Sequence, residues 1–411
     1  MSKFKVVILP HGYPSVEIER EVVGGAGGEL VCGDTLPDEA AALREAEDAD
    51  AILVRWTRVT PEIIGRLKRC RIIVRYGIGY DNVDSASALA AGIMIGHCPT
   101  YCVDEVATHT LALLLACVRD VVNNHAKVAS GGWTDNPPVR QWRMAGRTLG
   151  LIGLGNIGRC VAGKLRGWGL RILATDPFVE EEQAAATGAQ LVDLRTLCRE
   201  ADYICVHAPL LPETRHLVSR EAMELMKDGV ILINTARGPL LDEAALLGAL
   251  DSGKVAAAGL DVFEREPLTR DSRLRSHPQI VLSDHAAWYS ENSLVELKRT
   301  VAEEAVRVCT GGLPLAIAYP EVLHKLGRFH EWQPSPNAVW QLKRAAWLRD
   351  GRTVGQTSGL TVSRGGARTF LSAAAPRHEQ SVMMSPLSTQ HVAADRNVRA
   401  PLATHSLRGE G

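Results

Sequence analysis

No run of apolar residues in this 411-residue chain approaches the roughly 20 needed to cross a bilayer, so a membrane span is not expected. Net charge is nearly absent as well: at −1 there is no whole-molecule field to recruit nucleic acid or an anionic membrane, and neither is expected as a partner. The start, Met1-Ser2-Lys3-Phe4-Lys5, passes straight into the strand-like Val6-Val7-Ile8-Leu9 without an apolar h-region or cleavage site, so a cytoplasmic location is expected rather than secretion. A disulfide framework is missing too. The nine cysteines are odd in number and scattered, mostly in apolar stretches such as Leu114-Leu115-Ala116-Cys117, as buried thiols in a reducing compartment would be. Only Cys98 and Cys102 lie close together. With no second pair and no histidine in register, no metal site is expected. There is no internal repeat.

What is present is an ordinary globular composition, 46% hydrophobic and 23% charged, on a chain longer than one core usually supports. Two domains are therefore expected. Short apolar runs alternate with amphipathic segments in two series. The first has strand candidates at 5–9, 29–32, 51–54, 71–75 and 93–96, with helix candidates at 37–46, 61–67 and 84–91. The second has strand candidates at 147–154, 171–176, 203–207, 230–234, 256–260 and 280–282, with helices expected at 158–168, 194–199, 221–226 and 243–252. Such alternation implies parallel sheets covered on both faces. Residues 103–122 read as a buried helix placed either between domains or between subunits. A helix at 290–309 is expected to cross back onto the first series.

Beyond about residue 330 the periodicity fails. Residues 331–411 hold ten Lys/Arg against five Asp/Glu, without a basic cluster, in a Ser-, Thr-, Gly- and Pro-rich composition. A disordered basic tail is expected there, with one short helix at 338–349.

Gly153-Leu154-Gly155-Asn156-Ile157-Gly158 follows a strand and opens a helix. In such a turn the first glycine permits the sharp bend, the second lets backbone approach a pyrophosphate, and the third lets helix and strand pack closely. Eighteen residues after Gly158, at the end of the next strand, Asp176 is placed to accept hydrogen bonds from ribose hydroxyls. A carboxylate there repels a 2′-phosphate, so NAD is expected rather than NADP.

Three further strand ends carry Arg237, Glu266 and His285. Oxidising a secondary alcohol removes a hydroxyl proton as hydride leaves carbon, which needs a group titrating near neutrality, and His285 fits. Glu266 would stabilise its charged form and fix its tautomer, while Arg237 offers a planar fork to a substrate carboxylate. Taken singly each has a plainer reading: a structural histidine, a solvated Glu-Pro turn, an arginine capping a helix.

The glycine turn with Asp176, the stretch Asn234-Thr235-Ala236-Arg237-Gly238-Pro239, the stretch Gly259-Leu260-Asp261-Val262-Phe263-Glu264-Arg265-Glu266 and His285-Ala286-Ala287-Trp288 together resemble the D-isomer-specific 2-hydroxyacid dehydrogenase family over about residues 4–325. The resemblance implies a flavodoxin-like substrate domain (1–100 and 289–330) and a Rossmann NAD-binding domain (101–288), both doubly wound, followed by the tail. It implies a catalytic set of Arg237, Glu266 and His285. It places Thr110, Ile157, Pro209 and Ala236 along the cofactor and has Asp261 hold the nicotinamide amide. Residues 75–84 resemble the substrate loop of that family, whose backbone N–H groups at Gly77 and Ile78 would hold a carboxylate. The stretch His285-Ala286-Ala287-Trp288-Tyr289-Ser290-Glu291 is closer to the subgroup similar to the C-terminal-binding-protein corepressors, which implies that Trp288 walls the substrate side-chain pocket and that Arg75 reaches the substrate. Trp288 has interface packing as its other reading, and Arg75 a domain-closing ion pair. Ser283-Asp284 departs from the family pattern and puts a second carboxylate beside His285. The activity implied is hydride transfer between NAD(H) and a small D-2-hydroxy or 2-keto acid such as glyoxylate or hydroxypyruvate, in a homodimer. The alternative is an NAD(H)-sensing partner-binding protein of corepressor type.

Overall fold

Apolar side chains alternate along the first strands so regularly that each strand feeds two cores. In the computed structural model, which describes residues 3–134 and 141–332, Val6, Ile8, Leu53 and Val74 pack on one face of a sheet while Val7, Leu9, Ile52 and Ile73 pack on the other. That sheet comprises β1 (Lys5–Ile8), β2 (Glu29–Cys32), β3 (Ala51–Val54), β4 (Ile72–Arg75) and β5 (Met94–Gly96), all parallel, in the order β2-β1-β3-β4-β5. This is the flavodoxin-like winding.

The second sheet comprises β6 (Thr148–Ile152), β7 (Arg171–Thr175), β8 (Ala189–Leu191), β9 (Tyr203–Val206), β10 (Val230–Asn234), β11 (Val255–Leu260) and β12 (Ile280–Leu282). Its order is β12-β11-β10-β9-β6-β7-β8, again all parallel, with the chain reversing direction of travel between β6 and β9. This is the doubly wound dinucleotide order carrying one further edge strand. Ile204, Val206, Leu232 and Leu260 fill one face; Leu149, Leu151, Cys205 and Ile233 fill the other. Both sheets fall within one compact unit.

Short polar residues start the helices where the strands need them to turn. Asp38, Asp84, Asp193, Asp242 and Ser290 each accept a hydrogen bond from the backbone N–H three residues on. The helix Glu291–Cys309 buries Leu297, Val301, Ala305 and Val308 against the first sheet, so the chain does return to it. The helix Val103–Arg119 contributes Val106 to the first sheet's core and Leu113, Leu114 and Cys117 to the second's, and so bridges the two.

Three expectations are corrected. That bridging helix stops at Arg119 and not at 122, because Asp120 takes a left-handed backbone (φ 51°) from which a second helix, Val121–Ala129, departs. The second sheet has β8 as a seventh strand, too short and too polar to announce itself. A helix at Glu17–Gly25 was not expected from the sequence. The proposed short helix at 338–349 and the proposed tail lie outside the described residues. Among the described residues no helix is long and apolar enough to cross a membrane.

Candidate active site

Parallel sheets present their loops at the carboxyl edge, and here both sheets turn that edge toward one cleft of about 840 Å³. From the first sheet come Trp56 after β3 and Arg75 at the end of β4. From the second come Gly153, Asp176, His207, Arg237, Asp261 and His285, each at or just past a strand end.

His285 is the best-defined group. Its Nδ1 lies 2.7 Å from Oε2 of Glu266, and since an ionised carboxylate only accepts, the imidazole carries its proton on Nδ1 and leaves Nε2 for a substrate. The other oxygen, Oε1, accepts the Phe263 N–H at 3.0 Å. Burial pushes the Glu266 pKa up, but the hydrogen bond from His285, its charge, the Phe263 amide and nearby Arg237 outweigh it, and the net shift is downward. Glu266 does not line the cleft; it stands behind His285.

The backbone of His285 is left-handed (φ 57°), a strained conformation for a residue with a side chain. Asp261 enforces it. The Asp261 carbonyl accepts the His285 N–H at 2.7 Å, and its fully buried carboxylate accepts Ala286 N–H at 2.9 Å, Ala287 N–H at 3.0 Å and the Ser283 hydroxyl at 2.6 Å. Ser283 in turn accepts from Nε2 of His109 at 2.8 Å. The unusual Ser283 is thus a tie on the loop that carries His285, and Asp284 is exposed while Glu266 serves as the imidazole's carboxylate partner.

Arg237 is held from both sides. Its Nε donates to Asp81 of the first sheet's loops at 3.0 Å, its Nη1 donates to the Ala236 carbonyl at 2.7 Å, and Asn234 clamps the loop by bonding both Ala236 and Arg237 backbone. Burial lowers its pKa, but Asp81 more than compensates and the guanidinium is held charged. Arg75 differs: its Nε is buried without a hydrogen-bond partner, and burial together with neighbouring Arg237 pushes its pKa down. A desolvated cation of that kind calls for an anion. Ile78 lines the cleft, whereas the Gly77 N–H is engaged with the Arg75 carbonyl at 2.9 Å. Trp288 lines the cleft with its ring 6.3 Å from that of Tyr101.

The second half of the cleft fits a dinucleotide. Gly153 has φ 97°, and a Cβ there would stand 2.8 Å from the Ala208 nitrogen; one at Gly158 would strike the Gly153 carbonyl oxygen. Gly155 opens the helix Asn156–Lys164 with no side-chain cap, so first-turn N–H groups remain for a phosphate. Asp176 accepts the Leu154 and Phe178 N–H groups, both at 2.9 Å, which fixes it beside the turn. Asn156, Ile157, Pro209 and Ala236 line the cleft. Thr110 does not: it is buried behind Thr235, bonded to it at 2.8 Å, and Thr235 is the residue that faces the cleft.

Residues 111–287 match the family model described as D-isomer specific 2-hydroxyacid dehydrogenase, NAD binding domain. A glyoxylate reductase of Korarchaeum cryptofilum is 34% identical over 291 residues, covering 70% of this chain and 88% of that protein. The chain belongs to the D-isomer-specific 2-hydroxyacid dehydrogenase family. A D-3-phosphoglycerate dehydrogenase of Methanocaldococcus jannaschii is 38% identical over 273 residues, 66% of this chain but 52% of that protein. The chain thus spans about half the length of the phosphoglycerate dehydrogenases it matches. In structure it is similar to a glyoxylate reductase from Paecilomyes thermophila, with a TM-score of 0.70 at 27% identity over 77% of this chain and 98% of that one.

Several residues of this dehydrogenase-family cleft escaped the sequence reading. Trp56 meets the His285 ring edge to face, centroids 5.9 Å apart, and Arg55 lies 4.0 Å over the Tyr13 ring and 4.9 Å from that of Trp56. The strand-end rule that found His285 would have found Trp56 after β3. Asp81, within residues 75–84, carries no sign in the sequence of its bond to Arg237, 156 residues away. His11, Cys32 and Asp34 also cluster, but the His11 ring accepts the Tyr13 N–H and Asp34 accepts the His11 and Gly12 N–H groups, so the cluster is tied within itself.

Proposed function

We propose that this chain is an NAD-dependent D-2-hydroxyacid dehydrogenase interconverting a small 2-hydroxy acid and its 2-keto acid, of the glyoxylate or hydroxypyruvate class. The observation that carries the proposal is the His285–Glu266 pair facing Arg237 in a cleft shared with the glycine turn. Bound at that turn and beside Asp176, NAD supplies the hydride acceptor for oxidation, and NADH the donor for reduction.

The remaining chemistry belongs to the chain. Arg75 and the Ile78 backbone take the substrate carboxylate, with Gly77 shaping the turn; Arg237 orients that carboxylate and polarises the neighbouring oxygen. In reduction Nε2 of His285 donates a proton to the forming alkoxide; in oxidation it removes the hydroxyl proton. Glu266 steadies the imidazolium in either direction. Trp288 closes the side-chain end. The first sheet with the helix Glu291–Cys309 serves as the substrate domain (1–100 and 289–330), and 101–288 as the cofactor domain.

We also infer a homodimer and a reducing, cytoplasmic setting. The helix Val121–Ala129 buries none of its residues and leaves Val121, Val122 and Val128 about half exposed, Trp133 and Trp142 are exposed as well, and all nine cysteines are unpaired.

The test is NADH oxidation at 340 nm against a panel of 2-keto acids, from glyoxylate and hydroxypyruvate to branched and thioether side chains. His285→Gln should lose nearly all turnover and keep NADH affinity. Equal turnover in the variant sinks the proposal, and tight NADH binding without turnover of any keto acid favours the corepressor-like alternative.

A further inference from the structure

His207 follows β9 directly and lines the cofactor half of the cleft, yet both of its ring nitrogens are buried without a hydrogen-bond partner. Its backbone is pressed on the glycine turn: a Cβ on Gly153 would stand 2.8 Å from the His207 carbonyl carbon. An imidazole with neither nitrogen satisfied is costly at a buried strand end, where an apolar side chain fills the same space without penalty. Burial also pushes its pKa down to about 4, so at neutral pH the ring is uncharged, with one N–H donor and one acceptor. No other charged group contributes to that shift. No hydrogen bond ties the ring to the rest of the described structure, and the residue lines the cleft beside the glycine turn.

We propose that His207 is a further cofactor-holding residue, its ring N–H donating to the diphosphate of a dinucleotide seated on the Gly153–Gly158 turn. This rests on the NAD reading above. The helix N-terminus at Gly155 supplies partial positive charge from one side, and His207 adds a directed, uncharged donor from the other, so the diphosphate is gripped between β6 and β9.

The test is binding to the full chain, with NADH followed by fluorescence and ADP-ribose by calorimetry. His207→Leu should weaken both about tenfold, the loss expected of one hydrogen bond to a charged acceptor. His207→Asn, which keeps an N–H donor, should stay within about threefold of wild type. The melting temperature of the ligand-free Leu variant should hold or rise, since an unsatisfied polar group has left the interior, so affinity and stability move in opposite directions. ADP-ribose bound by the Leu variant as tightly as by wild type overturns the inference. So does a Leu variant that melts earlier together with an Asn variant that binds no better than it, because that pattern marks a structural role. Wild-type protein that binds no NADH overturns the cofactor reading itself.

Discussion

Nδ1 of His285 and Oε2 of Glu266 stand 2.7 Å apart, and the backbone that brings them there is strained at His285 and tied down by Asp261. Two carboxylates leaving the same strand, β11, thus divide the work on one imidazole: Asp261 fixes where it sits, and Glu266 fixes which nitrogen is protonated. A left-handed histidine persists only where its surroundings over-determine it. Here they do so with one backbone and three side-chain hydrogen bonds to Asp261.

Glu266→Gln removes the charge and keeps the shape. The imidazole keeps a hydrogen-bond acceptor but loses the negative charge that steadies it when it carries a second proton. We expect kcat for keto-acid reduction at pH 7 to fall by about ten- to a hundredfold, with NADH affinity nearly unchanged. A variant with wild-type kcat would mean that Glu266 does not act through His285.

Arg237→Lys keeps a positive charge but loses the planar fork. Nε of Arg237 is committed to Asp81 across the cleft, which orients the remaining donors, and a lysine ammonium cannot serve both partners in that geometry. We expect kcat/KM for the keto acid to drop about a hundredfold, about 2.7 kcal/mol, with NADH affinity nearly unchanged. Steady-state kinetics with a parallel NADH titration separates the two.

Buried His97 and His207 are both pushed down to about 4 by burial, His97 despite bonding the Ile78 carbonyl at 3.0 Å. Their folded pKa values lie below the unfolded value of about 6.5, so as pH falls from 6.5 toward 4 the unfolded chain takes up protons first and stability is lost; above 6.5 they have no effect. At pH 5 the two together cost up to about 4 kcal/mol relative to pH 7.5. Glu266, shifted the other way, keeps its contribution above the ordinary carboxylate value of about 4.5 and loses it as pH falls from there through its depressed pKa. Denaturant unfolding at the two pH values should show the loss in wild type and much less of it in a His97→Gln/His207→Leu double variant.

The candidates Arg237, Glu266 and His285 were legible because each stands within a few residues of an apolar strand, and the carboxyl-edge rule needs only local pattern to bring them to one cleft. Their partners were not. Asp81 and Arg237 are 156 residues apart in sequence, and Trp56 reaches His285 from the other sheet, so only the folded cleft joins them. The strands emerged nearly residue for residue where both faces are buried, as at Val230–Asn234, because burial on both sides leaves a continuous apolar run. β8, three residues with an exposed glutamine in the middle, leaves no such trace. Nor does the break at Asp120, where a single left-handed residue ends a helix that apolar content alone would have continued.

That break creates the surface on which the last prediction rests. At Asp120 the backbone turns left-handed and the helix Val121–Ala129 begins, none of whose residues is buried although valines stand at 121, 122 and 128. Trp133 at 80% and Trp142 at 57% exposure add large apolar side chains to the surface of the same domain, a concentration that favours a covering partner. A second copy of the chain covering it would remove that surface from water at about 25 cal/mol per Å², whereas a carboxylate placed there would have to be desolvated without a partner. Val121→Glu/Val128→Glu should therefore convert a sedimenting dimer into a monomer, with the circular dichroism of the fold retained because neither side chain is part of the core. Wild-type protein that sediments as a monomer, or a double variant that sediments as the wild type does, overturns this interface.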